Sequence, residues 1–162
     1  MVTFRTATVT DCQLILEFIK SLAKYEKMSD DVVATAELLE EWIFNKKMAE
    51  VVFVLKDGLE VGFALFFHSF STFLGRAGIY LEDLYINEEF RGFGYGKALL
   101  RHVAGIAVER CCGRLEWACL DWNKPSIDFY LSLDAEPMEE WTVYRMAGEM
   151  LAKFSDGEQQ KL

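Results

Sequence analysis

Apolar and polar positions recur with two different periods along the chain, which predicts a mixture of strands and helices. Short apolar runs typical of strands occur at Val2–Thr6, Val51–Leu55, Val61–Phe67, Ala77–Ile86, Leu115–Leu120 and Trp141–Met146. Apolar residues at helical spacing predict helices that begin near Asp11, Ala36, Lys97 and Pro125. The Asp57-Gly58 pair between two apolar runs predicts a hairpin. A helix separates the strands at Ala77–Ile86 and Leu115–Leu120, so we expect a local parallel pairing inside an otherwise antiparallel sheet, an α/β fold.

The length of the chain predicts a single domain over residues 1–162. With 162 residues and 52% hydrophobic content, the chain can bury one sizeable core but is short for two domains. No apolar run approaches the roughly 20 residues of a membrane span. The start of the chain also lacks the charged and apolar regions of a signal peptide. We therefore expect a cytoplasmic protein without a membrane partner.

Charge and cysteine spacing narrow the range of partners. The formal net charge of −9 argues against nucleic acid, because a phosphate backbone requires a basic surface, and it suits a small cationic substrate better. The cysteines are scattered, without a Cys-x-x-Cys motif or a neighbouring histidine, so we expect neither a metal site nor a disulfide: Cys12, Cys111, Cys112 and Cys119.

A glycine-rich segment, Arg91-Gly92-Phe93-Gly94-Tyr95-Gly96-Lys97, lies between a predicted strand and a predicted helix. Such a turn lets the backbone approach a ligand closely, while the first N–H groups of the helix point at an anion. The segment lacks the first glycine and the hydroxyl residue of a Walker loop, where Arg91 and Ala98 stand. It also lacks the third glycine of a dinucleotide fingerprint. A phosphate compound other than these nucleotides is the remaining interpretation.

The spacing Arg91-x-x-Gly94-x-Gly96 resembles the acetyl-CoA-binding loop of the GNAT superfamily of N-acetyltransferases. The likeness extends over nearly the whole chain, from the first strand and helix through the strand Tyr80–Ile86 to the segment Trp122–Tyr130. Together these segments look most like the spermidine/spermine branch, which acetylates diamines and polyamines. The resemblance implies a mostly antiparallel sheet with a splayed parallel pair flanked by helices, acetyl-CoA as cosubstrate, no metal, and a homodimer.

The resemblance also implies which residues contact the coenzyme. Backbone groups near Leu84 and Ile86 would bind pantetheine like an additional strand, and the N–H groups of the glycine loop would hold the pyrophosphate. The implied coenzyme contacts are Leu84, Ile86, Arg91, Gly92, Phe93, Gly94, Tyr95, Gly96, Lys97, Asn123, Lys124 and Tyr130.

Acetyl transfer to an amine needs a neutral nitrogen and a stabilised leaving thiolate. Tyr130 matches the family's catalytic tyrosine and would donate a hydrogen bond to the thiolate. Glu82 matches the residue that contacts the amine and would accept its proton, through water. Strand alternation places Glu82 on the face opposite Leu81 and Asp83, so Asp83 is expected to have a supporting or structural role.

Further residues match positions that line the amine channel of the family: Tyr25, Glu26, Glu82, Asp83, Glu116, Glu140 and Trp141. Carboxylates along a groove, with aromatic faces between them, suit ammonium groups separated by methylenes. We expect a small cationic amine as the substrate, with a polyamine such as spermidine or spermine first. A lysine-like amino acid such as thialysine, a protein lysine and a non-catalytic acyl-CoA-binding module stay open as alternatives.

Overall fold

A five-stranded sheet in the order β1-β2-β3-β4-β5 organises the first part of the chain. Its strands are β1 (Val2–Thr6), β2 (Glu50–Lys56), β3 (Leu59–Ser71), β4 (Arg76–Ile86) and β5 (Leu115–Trp117). The first four strands pair antiparallel, while β4 and β5 pair in parallel. The predicted mixed sheet with one parallel pair is therefore confirmed.

The computed structural model describes residues 1–156, which fall into two compact units, Met1–Ala118 and the residues from Cys119 on. The first unit holds the sheet and the helices α1 (Cys12–Tyr25), α2 (Ala36–Leu39) and α3 (Tyr95–Glu109). After α2 the chain continues in a wider helical turn over Glu40–Asn45. A single domain over residues 1–162 stays a prediction.

The apolar core beneath α1 explains why this helix packs on the sheet. Ile15 and Phe18, one turn apart on α1, are buried together with Phe53 and Phe63 of the sheet. The Phe18 and Phe63 rings stack with their centroids 5.3 Å apart. The opposite face of the sheet packs against α3, whose buried residues are Tyr95, Leu99, Leu100, Val103 and Ala107.

The hairpin between β2 and β3 forms where the sequence predicts it. Asp57 and Gly58 have φ angles of 51° and 88°. Positive φ at both central residues is the geometry of the two-residue turn that matches the twist of the flanking strands.

A β-bulge interrupts the pairing of β3 with β4. Asp83 pairs with Leu65 while Leu81 pairs with the next residue, Phe66, so Glu82 is an additional residue in β4. Leu65 and Phe66 are consecutive residues of a regular strand and point to opposite faces. The prediction that Leu81 and Asp83 share one face is therefore wrong, because strand alternation does not continue through a bulge.

The second unit contains the helices α4 (Lys124–Leu131) and α5 (Gly148–Ser155). Pro125 lies in the first turn of α4, as predicted. Two strand predictions are wrong here: β5 ends at Trp117 rather than Leu120, and Trp141–Met146 forms no strand. An extended segment becomes a strand only when another strand satisfies its backbone groups, and Tyr144 in this segment is 92% exposed.

Over residues 1–156, no helix has both the length and the apolar character needed to cross a membrane.

Candidate active site

One edge of β4 has backbone groups that point away from the rest of the sheet. The pairing with β5 reaches only Leu81, while β4 continues to Ile86. The Asn87 N–H donates to the Val61 carbonyl at 2.9 Å. This bond shows which residues of β4 direct their backbone groups toward β3. By alternation, the N–H and C=O groups of Leu84 and Ile86 point away from β3. This is the geometry expected of a strand edge that binds an extended ligand, although pantetheine binding there stays a prediction.

The glycine loop follows directly on this edge. Gly92 and Gly94 have φ angles of 81° and 84°, and Gly94 immediately precedes α3. Residues other than glycine adopt such angles only with strain, so both positions favour glycine. The first N–H groups of α3 have no partner within the helix and carry the positive end of its dipole. The loop can therefore hold an anion, and its flanking residues Phe93 and Lys97 are exposed.

The bulge places the Asp83 carboxyl on the α1 face of the sheet, where the charges of Glu82 and Glu26 act on it. Asp83 pairs with Leu65, which packs against the core beneath α1, so Asp83 lies on the same face. Glu26 is the residue that ends α1, and Glu82 is the additional residue of the bulge. Burial, then the negative charges of Glu82 and Glu26, raise the pKa of Asp83 to about 7. Burial also raises the pKa of Glu26.

The two strand carboxyls differ in their surroundings, while their roles stay predictions. Glu82 is exposed, whereas Asp83 is partly buried and its pKa lies near neutrality. Strand alternation alone predicts that Asp83 shares the face of Leu81. The bulge changes that face, and it arises from the pairing of β4 with β3, which is distant in the sequence.

A polar cleft of about 470 Å³ lies between the end of α1 and the start of the glycine loop. Ser21, Lys24 and Tyr25 line it from α1, and Tyr85, Asn87, Glu88, Glu89 and Arg91 line it from the end of β4 onward. The Arg91 Nε donates to the Ile86 carbonyl at 2.9 Å. Its guanidinium carbon lies 4.4 Å from the centre of the Tyr25 ring and 5.1 Å from that of Tyr85. Sequence reasoning did not identify Lys24, Tyr85 or Asn87 as part of the site.

Several predicted contacts belong to the second unit. Asn123 is buried, and its side-chain oxygen accepts a hydrogen bond from the Ser126 N–H at 3.4 Å, so it caps α4. The Lys124 Nζ lies 2.8 Å from the Asp128 carboxylate. Tyr130 is partly buried near the end of α4. Coenzyme contacts by these residues and the catalytic role of Tyr130 stay predictions.

The remaining predicted amine contacts differ in their surroundings. The Glu116 carboxylate pairs with Arg114 at 2.7 Å, which already balances its charge. Glu140 and Trp141, in the second unit, are exposed. The negative charge of Glu26 acts on the Asp83 carboxyl, and the preceding residue, Tyr25, lines the cleft.

Within the described residues, no group of three or more His, Cys, Asp or Glu side chains is arranged to hold a metal ion. The four cysteines are free thiols.

The sheet, its parallel pair and the glycine loop at the start of α3 define an acyl-CoA N-acyltransferase type of fold. An integron cassette protein from the mobile metagenome of V. cholerae has a similar structure, with a TM-score of 0.81, 25% identity and coverage of 96% of this chain and 98% of that one. Residues 16–134 match the acetyltransferase (GNAT) family. The chain belongs to this family.

Two relatives of known name are similar over most of the chain. The thialysine N-epsilon-acetyltransferase of Bos taurus is 36% identical over 166 residues, covering 95% of this chain and 97% of that protein. The spermidine/spermine N(1)-acetyltransferase-like protein 1 of Homo sapiens is 34% identical over 158 residues, covering 91% of this chain but 23% of that longer protein.

Proposed function

We propose that this protein transfers the acetyl group of acetyl-CoA to a primary amine of a small cationic molecule. The side-chain amine of a lysine-like amino acid such as thialysine is the first candidate. The full-length similarity to the thialysine acetyltransferase of Bos taurus supports this choice of substrate. The single observation that carries the chemistry is Asp83, a partly buried carboxyl whose pKa is raised to about 7 beside two further carboxyls.

Asp83 is proposed to accept the proton of the substrate ammonium, with Glu82 and Glu26 completing the amine-binding group. A primary ammonium has a pKa of about 10.4, so moving its proton to an ordinary aspartate costs roughly 9 kcal/mol. The same transfer to a carboxyl of pKa about 7 costs roughly 5 kcal/mol. The raised pKa of Asp83 therefore removes at most about 4 kcal/mol from the step that makes the nitrogen nucleophilic, because the charge of the bound ammonium lowers that pKa again.

Binding of the substrate ammonium also changes the protonation of Asp83. A positive charge beside Asp83 favours the ionised carboxylate over the protonated form. Below pH 7, amine binding is thus expected to release a proton from the carboxyl group, after which the carboxylate can take the amine proton.

Acetyl transfer then proceeds directly from the thioester to the amine. The neutral nitrogen forms a bond to the carbonyl carbon, and the carbon–sulfur bond of the tetrahedral intermediate breaks to release the thiolate. The proton that the nitrogen loses as the amide forms passes, through water, to the thiolate sulfur. Tyr130 is proposed to donate a hydrogen bond to that thiolate. Full proton transfer from a phenol of pKa about 10 to a thiolate of pKa about 8.5 would be uphill by roughly 2 kcal/mol, so a tightening hydrogen bond is the expected role.

The coenzyme is proposed to lie along the open edge of β4 with its pyrophosphate on the glycine loop. The outward-pointing backbone groups of Leu84 and Ile86 support the first contact. The positive φ angles of Gly92 and Gly94 and the start of α3 support the second.

A polyamine is the second candidate substrate. Three neighbouring carboxyls, Glu26, Glu82 and Asp83, suit a ligand with more than one ammonium group. The similarity to the spermidine/spermine acetyltransferase-like protein of Homo sapiens also favours this class. The first candidate, a lysine-like amino acid, also carries a carboxylate and would need a cation to bind it. Lys24 and Arg91, which line the cleft, could supply that cation.

A competitive amine panel tests the proposed function. Purified protein is given acetyl-CoA with thialysine, ornithine, putrescine, spermidine or a lysine peptide, and thiol release is followed for each amine. We expect the highest kcat/KM with thialysine. Higher kcat/KM with spermidine would select the second candidate, and coenzyme binding without amine-dependent thiol release would overturn the enzymatic proposal in favour of a binding module.

The proton acceptor is tested by comparing Asp83→Asn with Glu82→Gln. If Asp83 accepts the proton, kcat/KM of the wild type rises with pH through about 7, and Asp83→Asn removes this dependence. Glu82→Gln is expected to keep the rise. Asp30→Asn, which neutralises an exposed aspartate in the turn after α1, serves as the control. A rise that survives in Asp83→Asn and disappears in Glu82→Gln would assign the role to Glu82.

A further inference from the structure

The side chain of Arg91 joins three parts of the site that belong to different elements. Its Nε donates to the Ile86 carbonyl at the end of β4, at 2.9 Å. Its guanidinium group lies over the ring of Tyr25 at the end of α1 and over the ring of Tyr85 in β4, with carbon-to-centroid distances of 4.4 and 5.1 Å. Arg91 itself is the residue before the first glycine of the loop.

Each of these contacts has a distinct place in the proposed reaction. The Ile86 carbonyl belongs to the open edge of β4, where the coenzyme is expected. Tyr25 lies next to Glu26, one of the carboxyls that surround Asp83. Arg91 therefore contacts the coenzyme side of the site through its backbone and Ile86, and the amine side through Tyr25.

We propose that Arg91 is a positioning residue that fixes the Tyr25 ring and thereby makes amine affinity depend on the glycine loop. This inference rests on the proposed function. When the loop is held by a bound coenzyme, the guanidinium group is held with it, and the attraction between the cation and the ring face keeps Tyr25 at the amine site. Loss of the guanidinium group removes this restraint on the Tyr25 ring even when the coenzyme is saturating.

The geometry requires an arginine rather than any cation. A planar guanidinium group can donate from Nε within its plane while its face contacts an aromatic ring, whereas an ammonium group is a compact point charge. The contact to Tyr25 needs the ring but not the phenol hydroxyl. These two requirements give four informative variants: Arg91→Met, Arg91→Lys, Tyr25→Leu and Tyr25→Phe.

The test measures the amine KM at saturating acetyl-CoA, using the best amine of the panel. Arg91→Met is expected to raise this KM by about tenfold, from the loss of a cation–π contact, and Arg91→Lys should not restore it. Tyr25→Leu should raise it too, while Tyr25→Phe keeps the ring, so in that background Arg91→Met should raise the amine KM about as much as in the wild type. In the Tyr25→Leu background, Arg91→Met should add less than about a twofold further change, because both variants remove the same contact.

Arg101→Met is the matched control, because it removes an exposed arginine of α3 outside the site. Its amine KM should equal that of the wild type. Coenzyme dissociation constants, measured by calorimetry, separate a loop effect from an amine effect. Should Arg91→Met alter only the coenzyme affinity, or should its effect multiply with that of Tyr25→Leu, the positioning role is wrong while the proposed function stands. A wild-type protein without amine-dependent thiol release removes the proposed function and this role together.

Discussion

Replacement of Asp83 by asparagine tests the buried carboxyl through stability, without reference to catalysis. Burial and the nearby carboxylates raise the pKa of Asp83 from 3.8 to about 7 in the folded protein. Between these two values the folded state holds a proton that the unfolded state has lost. The contribution of Asp83 to the free energy of unfolding must therefore fall as pH rises through this window.

The size of this fall follows from the width of the window. It spans roughly three pH units, and each unit corresponds to about 1.36 kcal/mol, which gives about 4 kcal/mol as an upper figure. An asparagine has nearly the same shape but cannot ionise. The stability of Asp83→Asn relative to the wild type should thus increase from pH 4 to pH 8 by as much as about 4 kcal/mol.

Urea unfolding at pH 4, 5, 6, 7 and 8 measures this difference for the wild type, Asp83→Asn and the exposed control Asp30→Asn. The control should follow the wild type at every pH. A difference between Asp83→Asn and the wild type that stays constant from pH 4 to pH 8 would refute the raised pKa of Asp83. The proposed proton acceptor would then lose its main support.

Four further variants test other parts of the fold and the candidate site. Tyr130→Phe should lower kcat by about a hundredfold while the dissociation constant of coenzyme A changes less than about twofold, and turnover near that of the wild type would contradict its role. Gly94→Ala should destabilise the protein by about 1 kcal/mol in urea unfolding, because the φ of Gly94 is 84°, whereas Gly105→Ala within α3, where a Cβ meets nothing within 4 Å, should stabilise it by about 0.5–1 kcal/mol. Two changes of the same sign would argue against strain at Gly94. Arg5→Met removes hydrogen bonds of 2.8 Å to Asp11 and should cost about 1–3 kcal/mol at pH 7. Arg5 holds the pKa of Asp11 well below its usual range, so this cost should shrink below about pH 4, and an equal cost at pH 7 and pH 3 would be inconsistent with the pair.

Most of the fold was predictable because its signals are local. The turn at Asp57-Gly58, the helix that follows the glycine loop and the start of α4 at Pro125 each depend on a few neighbouring residues. The parallel pairing of β4 with β5 was also predictable, since a strand, a helix and a second strand in sequence favour it.

The features that the sequence did not reveal depend on distant partners. Trp141–Met146 has the apolar pattern of a strand, but that pattern cannot say whether another strand lies beside it. The short length of β5 has the same origin, because its end is set by where β4 stops pairing with it. In the candidate site, the glycine loop was recognised from its own short sequence and the family resemblance, whereas the contacts of the Arg91 side chain depend on two rings, Tyr25 and Tyr85.

The bulge at Glu82 links the two halves of the proposed site. Before the bulge, the Ile79 N–H donates to the Arg114 carbonyl beside β5, so Ile79 and Leu81 direct their backbone groups toward β5. In an uninterrupted strand, Asp83 would do the same and Leu84 would face β3. The additional residue reverses the alternation along β4. As a result, the backbone groups of Leu84 point toward the open edge and the Asp83 side chain points toward α1. A single inserted residue therefore provides both a strand edge suited to the acetyl donor and a carboxyl suited to the amine acceptor, a few residues apart on one strand.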